Sequence, residues 1–280
     1  MKKEELKERL PEFLIEQSES EKSQNTLKKY KHNIELFLEW IPDESAIDKN
    51  VVIDFKRHLL EDLHFRTNTI NNYIISINKF LYWCGMHDCK VKQLKKQHAA
   101  SNSEVLSLSD FKRLLRFAKR MNQEDTYLIM KILAMTGIRI EELSFFTVEN
   151  VKSNYIHVRN KGKERSIIIR QDLAREIRQY CRNNGINSGV IFFCKTKGKM
   201  MSKSTIWRRM QRIAGVARVG KNKVHAHSFR HLFAKMFLGE YNGSIAELAD
   251  ILGHNSIETT RIYAKTTDEE KRRKLERIKF

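Results

Sequence analysis

His254-Asn-Ser-Ile-Glu-Thr-Thr-Arg-Ile-Tyr263 sets a tyrosine nine residues after a histidine, near the end of a 280-residue chain. Upstream stand His227-Ser-Phe-Arg230 and, within Thr136-Gly-Ile-Arg-Ile-Glu-Glu-Leu143, a single Arg139. Each has a bland explanation on its own: Arg139 as a surface arginine, His227 and Arg230 as a chance pair, Tyr263 as a packing aromatic. As a set they are equipped to cut a phosphodiester without a metal. Guanidiniums fork onto non-bridging phosphate oxygens, an imidazole moves protons near neutral pH, and a tyrosine hydroxyl can form a covalent phosphoester.

Charge supplies the substrate class. The chain carries 53 Lys and Arg against 34 Asp and Glu, a net of +19. Residues 1–100 hold 17 basic against 16 acidic groups, while residues 101–280 hold 36 against 18. The excess therefore lies in the segment that bears the Arg/His/Tyr set, which points to the phosphates of a nucleic acid. The alternative is a generic solvated basic face.

Length and a 41% hydrophobic content predict two domains with real cores. Cys84, Cys89, Cys181 and Cys194 lack CxxC spacing, so neither a zinc site nor a disulfide framework is expected and reduced thiols in the cytoplasm fit best. The N-terminus MKKEELKERL has charges of both signs and no apolar core, unlike a signal peptide, and no run approaches a membrane span.

Residues 1–95 read as helical, a small bundle. Leu27, Tyr30, Ile34, Phe37, Leu38 and Ile41 recur at steps of three and four, with Ser23 or Asn25 as cap and Pro42 as stop. Val51–Leu63 and Thr69–Trp83 follow, the latter ended by Gly85. Residues 96–107, within the polar stretch Lys92–Ser107, read as a linker. Residues 108–280 form the second domain. Helices are expected at Ser109–Met121 (capped by Ser109 or Asp110), Asp125–Thr136, 171–185, 202–217, 228–240, 244–252 and 256–264. Tyr155–Arg159 and Arg165–Arg170 flank Asn160-Lys-Gly-Lys-Glu164, a hairpin with Lys161, Lys163 and Arg165 at its tip; a short strand is expected at Val190–Phe193. The fold class is thus mainly α with a small β-hairpin.

The set converges on one reaction. Two guanidiniums neutralise a phosphate as it becomes pentacoordinate. The tyrosine hydroxyl, with an ordinary pKa of ~10, needs cations and a base to attack, and a lysine on the hairpin tip suits protonation of the leaving 5′-oxygen. No GxSxG elbow, Walker loop or cluster of carboxylates supports a rival chemistry. His225-Ala-His227 has a zinc-ligand spacing but no third ligand nearby.

These boxes resemble the tyrosine recombinases of the phage integrase family, close in size to Xer-like and transposon-borne members, over nearly the whole chain. Thr136–Leu143 matches the first arginine box, giving Arg139 with Glu142 in support. Asn160-Lys-Gly-Lys-Glu-Arg165 matches the hairpin lysine box one residue short, giving Lys161, with Lys163 as the alternative. His227–Ala234 gives His227 and Arg230, with Phe229 where leucine is common, and Leu252-Gly-His254 through Tyr263 gives His254 and the nucleophile.

The resemblance implies an N-terminal SAM-like core-binding domain and a C-terminal α+β catalytic domain. It also implies a 3′-phosphotyrosine intermediate, a Holliday junction, and a homotetramer on double-stranded DNA with short inverted-repeat core sites, with no cofactor or metal. Integration or excision of a mobile element and dimer resolution both fit. The two domains would clamp the duplex, and the basic segment Thr267–Phe280, ending in Ile278 and Phe280, would dock on its own domain or on a neighbour. The rival readings are a type IB topoisomerase, which relaxes DNA as a monomer, and a non-catalytic sequence-specific DNA-binding protein.

Overall fold

The structure, a computed structural model, describes residues 1–43, 45–95, 105–160, 163–194, 199–240 and 243–253, together with Ile257, Thr260 and Glu276. The chain divides into two compact units, Met1–Ala99 and Ala100–Phe280. The expected linker at 96–107 lies mostly outside the described residues, as do the helix expected at 256–264 and the segment Thr267–Phe280.

The first unit contains helices α1 (Lys3–Glu19), α2 (Gln24–Trp40), α3 (Lys49–Glu61) and α4 (Thr67–Trp83). Helical spacing on each creates an apolar stripe: Leu6, Leu10 and Phe13 on α1, Ile34, Phe37 and Leu38 on α2, Val52, Phe55 and Leu59 on α3. They bury against Ile70, Ile74, Ile77 and Phe80 of α4, with Phe13 edge-on to Phe80 at 5.3 Å and Phe37 edge-on to Phe55 at 5.1 Å. Ser23 and Asp48 cap α2 and α3 by accepting from Thr26 N and Val51 N. α1 runs on through Pro11, which lies on its exposed face.

After a 3-10 turn at His87–Cys89 the chain runs along α4 without regular structure, and two asparagines hold it there. Asn78 donates to Val91 O at 2.8 Å and accepts from Val91 N at 3.0 Å. One heptad earlier, Asn71 does the same with Leu94, at 2.9 and 2.8 Å. Each side-chain amide thus matches both the donor and the acceptor of one backbone residue, as a neighbouring strand would.

The second unit is built around α6 (Glu124–Thr136), whose Leu128, Ile129, Met130, Ile132 and Leu133 are all buried. α5 (Leu108–Arg120) and α10 (Ala226–Glu240) pack on it; Phe229, buried in α10, sits 6.1 Å from Phe111. Its other elements are α7 (Val148–Ser153), the hairpin β1 (Tyr155–Asn160) and β2 (Lys163–Ile168), α8 (Gln171–Asn183), the two-residue strands β3 (Phe193–Cys194) and β4 (Lys199–Met200), α9 (Lys203–Val216) and α11 (Ile245–Leu252).

Several boundaries differ from the sequence reading. Ser107, not Ser109 or Asp110, caps α5 by accepting from Asp110 N at 3.0 Å. α10 starts at Ala226 rather than 228, which brings His227 into its first turn. The strand expected at Val190–Phe193 is reduced to a single bridge between Val190 and Thr147, and pairing begins at Phe193. A 3-10 turn at Ile140–Phe145 and the short α7 were not expected, because six residues carry too little periodicity to reveal themselves.

Candidate active site

The site is assembled from turns at the ends of helices. α6 ends at Gly137 with φ +63°, and a Cβ there would lie 2.5 Å from a ring carbon of Phe233, so the close approach of α10 requires glycine. Two residues on, Arg139 opens the 3-10 turn. Its backbone N–H donates to Glu142 Oε2 at 2.8 Å and its Nη1 to Glu142 Oε1 at 3.3 Å. The Glu142 carboxylate is 1% exposed, so it needs such partners.

Arg230, 2% exposed in α10, reaches across to the same place. Its Nη1 donates to Gly137 O at 2.6 Å and its Nη2 to Leu252 O at 2.7 Å. Arg139 Nη2 donates to the next carbonyl, Gly253 O, at 3.2 Å. Arg165, from β2, donates through Nη1 to Ile251 O and through Nη2 to Glu142 Oε2 at 2.5 Å.

The common element is the C-terminal end of α11. Ile251, Leu252 and Gly253 offer carbonyls that have no further helical turn to bond, and this end of a helix carries partial negative charge. Successive carbonyls each take a guanidinium from a different part of the chain. A charged guanidinium has five N–H donors in a rigid fork, so Arg139 has donors beyond these bonds for an anion. Arg139, 37% exposed, has the more open approach.

His227 keeps access to solvent in the first turn of α10. Crowding by protein atoms, and then the charges of Arg230, His225 and Arg139, hold its imidazole below the ordinary pKa. It is therefore neutral at neutral pH and can take or give a proton. One turn on, His231 is pushed down to about 4 by burial, with His227 and Lys235 adding to the effect.

His231 yields a stability prediction. Its folded pKa of about 4 lies below the ordinary 6.5, so on acidification the unfolded chain binds the proton first. The contribution is complete above pH 6.5 and is lost as pH falls towards 4, amounting to up to about 3 kcal/mol. Urea unfolding from pH 7 to pH 4 should show a smaller loss for His231→Gln than for the wild-type chain. Parallel pH profiles would contradict this.

Of the sequence candidates, Arg139, Glu142, His227 and Arg230 come together here. Lys161, His254 and Tyr263 lie outside the described residues; Lys163 is described only through its backbone pairing with Asn160. Arg165 corrects an expectation: it is not a tip residue. Its partner in register is Val158, it shares the inward face with Ile156 and Ile167, and its side chain is 12% exposed. Alternation along β2 was the signal that could have found it. Among the described residues no group of three or more metal-ligating side chains gathers, and no helix is long and apolar enough to cross a membrane.

Comparison with known proteins bears on the family and the fold. The model of the phage integrase family matches residues 104–270. Tyrosine recombinase XerA of Pyrococcus horikoshii is 27% identical over 266 residues, covering 92% of this chain and 89% of its own. Tyrosine recombinase XerD of Haemophilus ducreyi is 23% identical, covering 86% of each.

Among solved structures, a Tn1549 transposon integrase in complex with transposon right end DNA superposes with a TM-score of 0.74 at 17% identity, over 99% of both chains. A lambda integrase tetramer bound to a Holliday junction gives 0.75 at 15% identity, over 94% of this chain and 77% of that one. With the family model spanning more than half of the sequence, and a fold shared over nearly all of it, the chain belongs to the phage integrase family, a family of tyrosine recombinases.

Proposed function

We propose that this protein is a site-specific DNA recombinase that cuts and rejoins strands through a covalent tyrosine intermediate. The observation that carries the reading is the convergence of Arg139 and Arg230 on adjacent carbonyls, Gly253 and Leu252, immediately before the segment that holds His254 and Tyr263. Two guanidiniums held at one point, with a neutral His227 beside them, suit a phosphate that gains negative charge in its transition state.

In the proposed reaction the Tyr263 oxygen attacks phosphorus and the bond from phosphorus to the 5′-oxygen breaks. The tyrosine proton passes to a base, for which His227 is suited. Lys161, or Lys163, protonates the leaving 5′-oxygen, and His254 adds a donor to the phosphate. The ester energy is kept in the 3′-phosphotyrosine, so the free 5′-hydroxyl of a partner strand can reverse the step with neither metal nor ATP. A tetramer on two sites, exchanging strands through a Holliday junction, fits two such rounds. We assign residues 1–95 to gripping DNA beside the core site and 108–280 to catalysis, in the compartment that holds the DNA.

Nicked duplexes with short inverted repeats, taken from DNA flanking the gene, test the reading. An adduct that survives detergent, disappears on proteolysis and forms in a chelator is the expected result. Metal-dependent cleavage without an attached protein would refute it. Relaxation of any supercoiled plasmid by the monomer would favour the topoisomerase reading.

A further inference from the structure

An arginine on the inward face of a hairpin, between Ile156, Val158 and Ile167, is costly to bury unless its charge is used. Arg165 is held on both sides. Its Nη2 meets Glu142 at 2.5 Å, and its Nη1 meets the carbonyl of Ile251. Its stem lies where a side chain on residue 253 would go: a Cβ on Gly253 would come within 2.7 Å of Arg165 Cδ. That glycine, at φ +62°, is therefore required both by the turn and by the arginine.

Among the described residues the Glu142 carboxylate has two cationic claimants, Arg139 at 3.3 Å and Arg165 at 2.5 Å. Its shorter bond is to the cation with little access to solvent, and its longer one is to the cation with an open approach. Remove Arg165, and among the described residues the buried carboxylate has Arg139 alone to neutralise it. The three-charge cluster would fall from a net of one positive charge to zero, and the fork of Arg139 would be drawn inward, away from a phosphate.

We propose that Arg165 is a positioning residue for strand cleavage: by satisfying Glu142 and the end of α11, it leaves the guanidinium of Arg139 free to serve the phosphate. This rests on the recombinase reading above. Because Arg165 is withdrawn from solvent, it acts on the rate of the chemical step rather than on site binding. It also ties β2 to α11, so the hairpin that carries the candidate lysine is registered against the carbonyls that hold both phosphate arginines.

The test measures single-turnover adduct formation by the full chain on a nicked duplex, with DNA binding followed separately by anisotropy. Arg165→Met should slow adduct formation by about 100-fold, the scale of a small misplacement at a reacting centre, while binding changes by less than about threefold. Adding Glu142→Gln to Arg165→Met should recover at least about tenfold of the rate, since the neutral amide no longer competes for the Arg139 charge. A merely structural arginine predicts the opposite, with the second change deepening the loss.

If Arg165→Met does not fold, Arg165→Lys carries the test. A single ammonium cannot fork between Glu142 and Ile251 O, so a loss of about tenfold is expected, and a wild-type rate would overturn the proposal. No rescue in the double variant, or equal losses in binding and rate, would also overturn it. A wild-type chain that forms no adduct would instead refute the recombinase reading itself, and this inference with it.

Discussion

Tyr263→Phe is expected to abolish the covalent DNA adduct while leaving site binding within about twofold of wild type, because the ring is retained and only the attacking oxygen is removed. No other change in the chain should separate the two readouts so completely. Covalent catalysis divides a hard displacement into two reversible ones, and without the hydroxyl the first has no nucleophile. The measurement is a labelled suicide duplex resolved under denaturing conditions, beside a mobility shift on the same DNA. An adduct that persists in Tyr263→Phe would remove Tyr263 from the reaction.

Arg230 is expected to show the second-largest effect, and here two substitutions report different things. Arg230→Ala leaves the carbonyls of Gly137 and Leu252 without this donor and opens a hole in a site that is 2% exposed. Lost partners and a cavity together should cost on the order of 3–5 kcal/mol of stability. Loss of activity in that variant would therefore say little about catalysis.

Arg230→Lys keeps the charge and most of the volume but not the fork. One ammonium cannot hold carbonyls on two different turns and still address a phosphate. The rate of adduct formation should fall by about 100- to 1000-fold, comparable to the removal of one preorganised donor from an oxyanion site, with a much smaller loss of stability than in Arg230→Ala. Chemical unfolding and single-turnover cleavage on the same samples make the separation. A lysine variant with more than about a tenth of the wild-type rate would show that a point charge suffices.

The parts of the site that were legible in the sequence are those written in short, contiguous boxes. Arg139 and Arg230 declared themselves because each sits in a string of residues that serves a turn and, in the proposed function, a reaction. Gly137 is an example: it gives α6 its left-handed end and also donates no side chain where Phe233 must pass. Glu142 was legible as a support, but its near-complete burial was not, since nothing in a run of Ile-Glu-Glu-Leu says which glutamate turns inward.

Arg165 was misread for a physical reason. In sequence it stands next to two tip lysines, and proximity suggests shared exposure. In a strand, exposure is set by the pairing register, and Arg165 shares the parity of Ile167, not that of Glu164 or Ser166. The convergence on Ile251, Leu252 and Gly253 was equally hidden, because its acceptors are backbone atoms and have no letter in the sequence. His231 was passed over as a neighbour of Arg230, although its place one turn from His227 follows directly from helical spacing.

The asparagine clasp on α4 bears on where this chain can be divided. A fragment stopped at Gly85, just after α4 has ended, would keep all four α-helices and still lack the backbone that Asn71 and Asn78 recognise. Asn71 is 3% exposed, and its amide would lose both backbone partners. Stopping instead at Lys95 keeps Val91 and Leu94 and every bond they make to α4. The natural edge of the first unit is thus drawn by two side-chain amides, at Leu94, eleven residues past the end of α4.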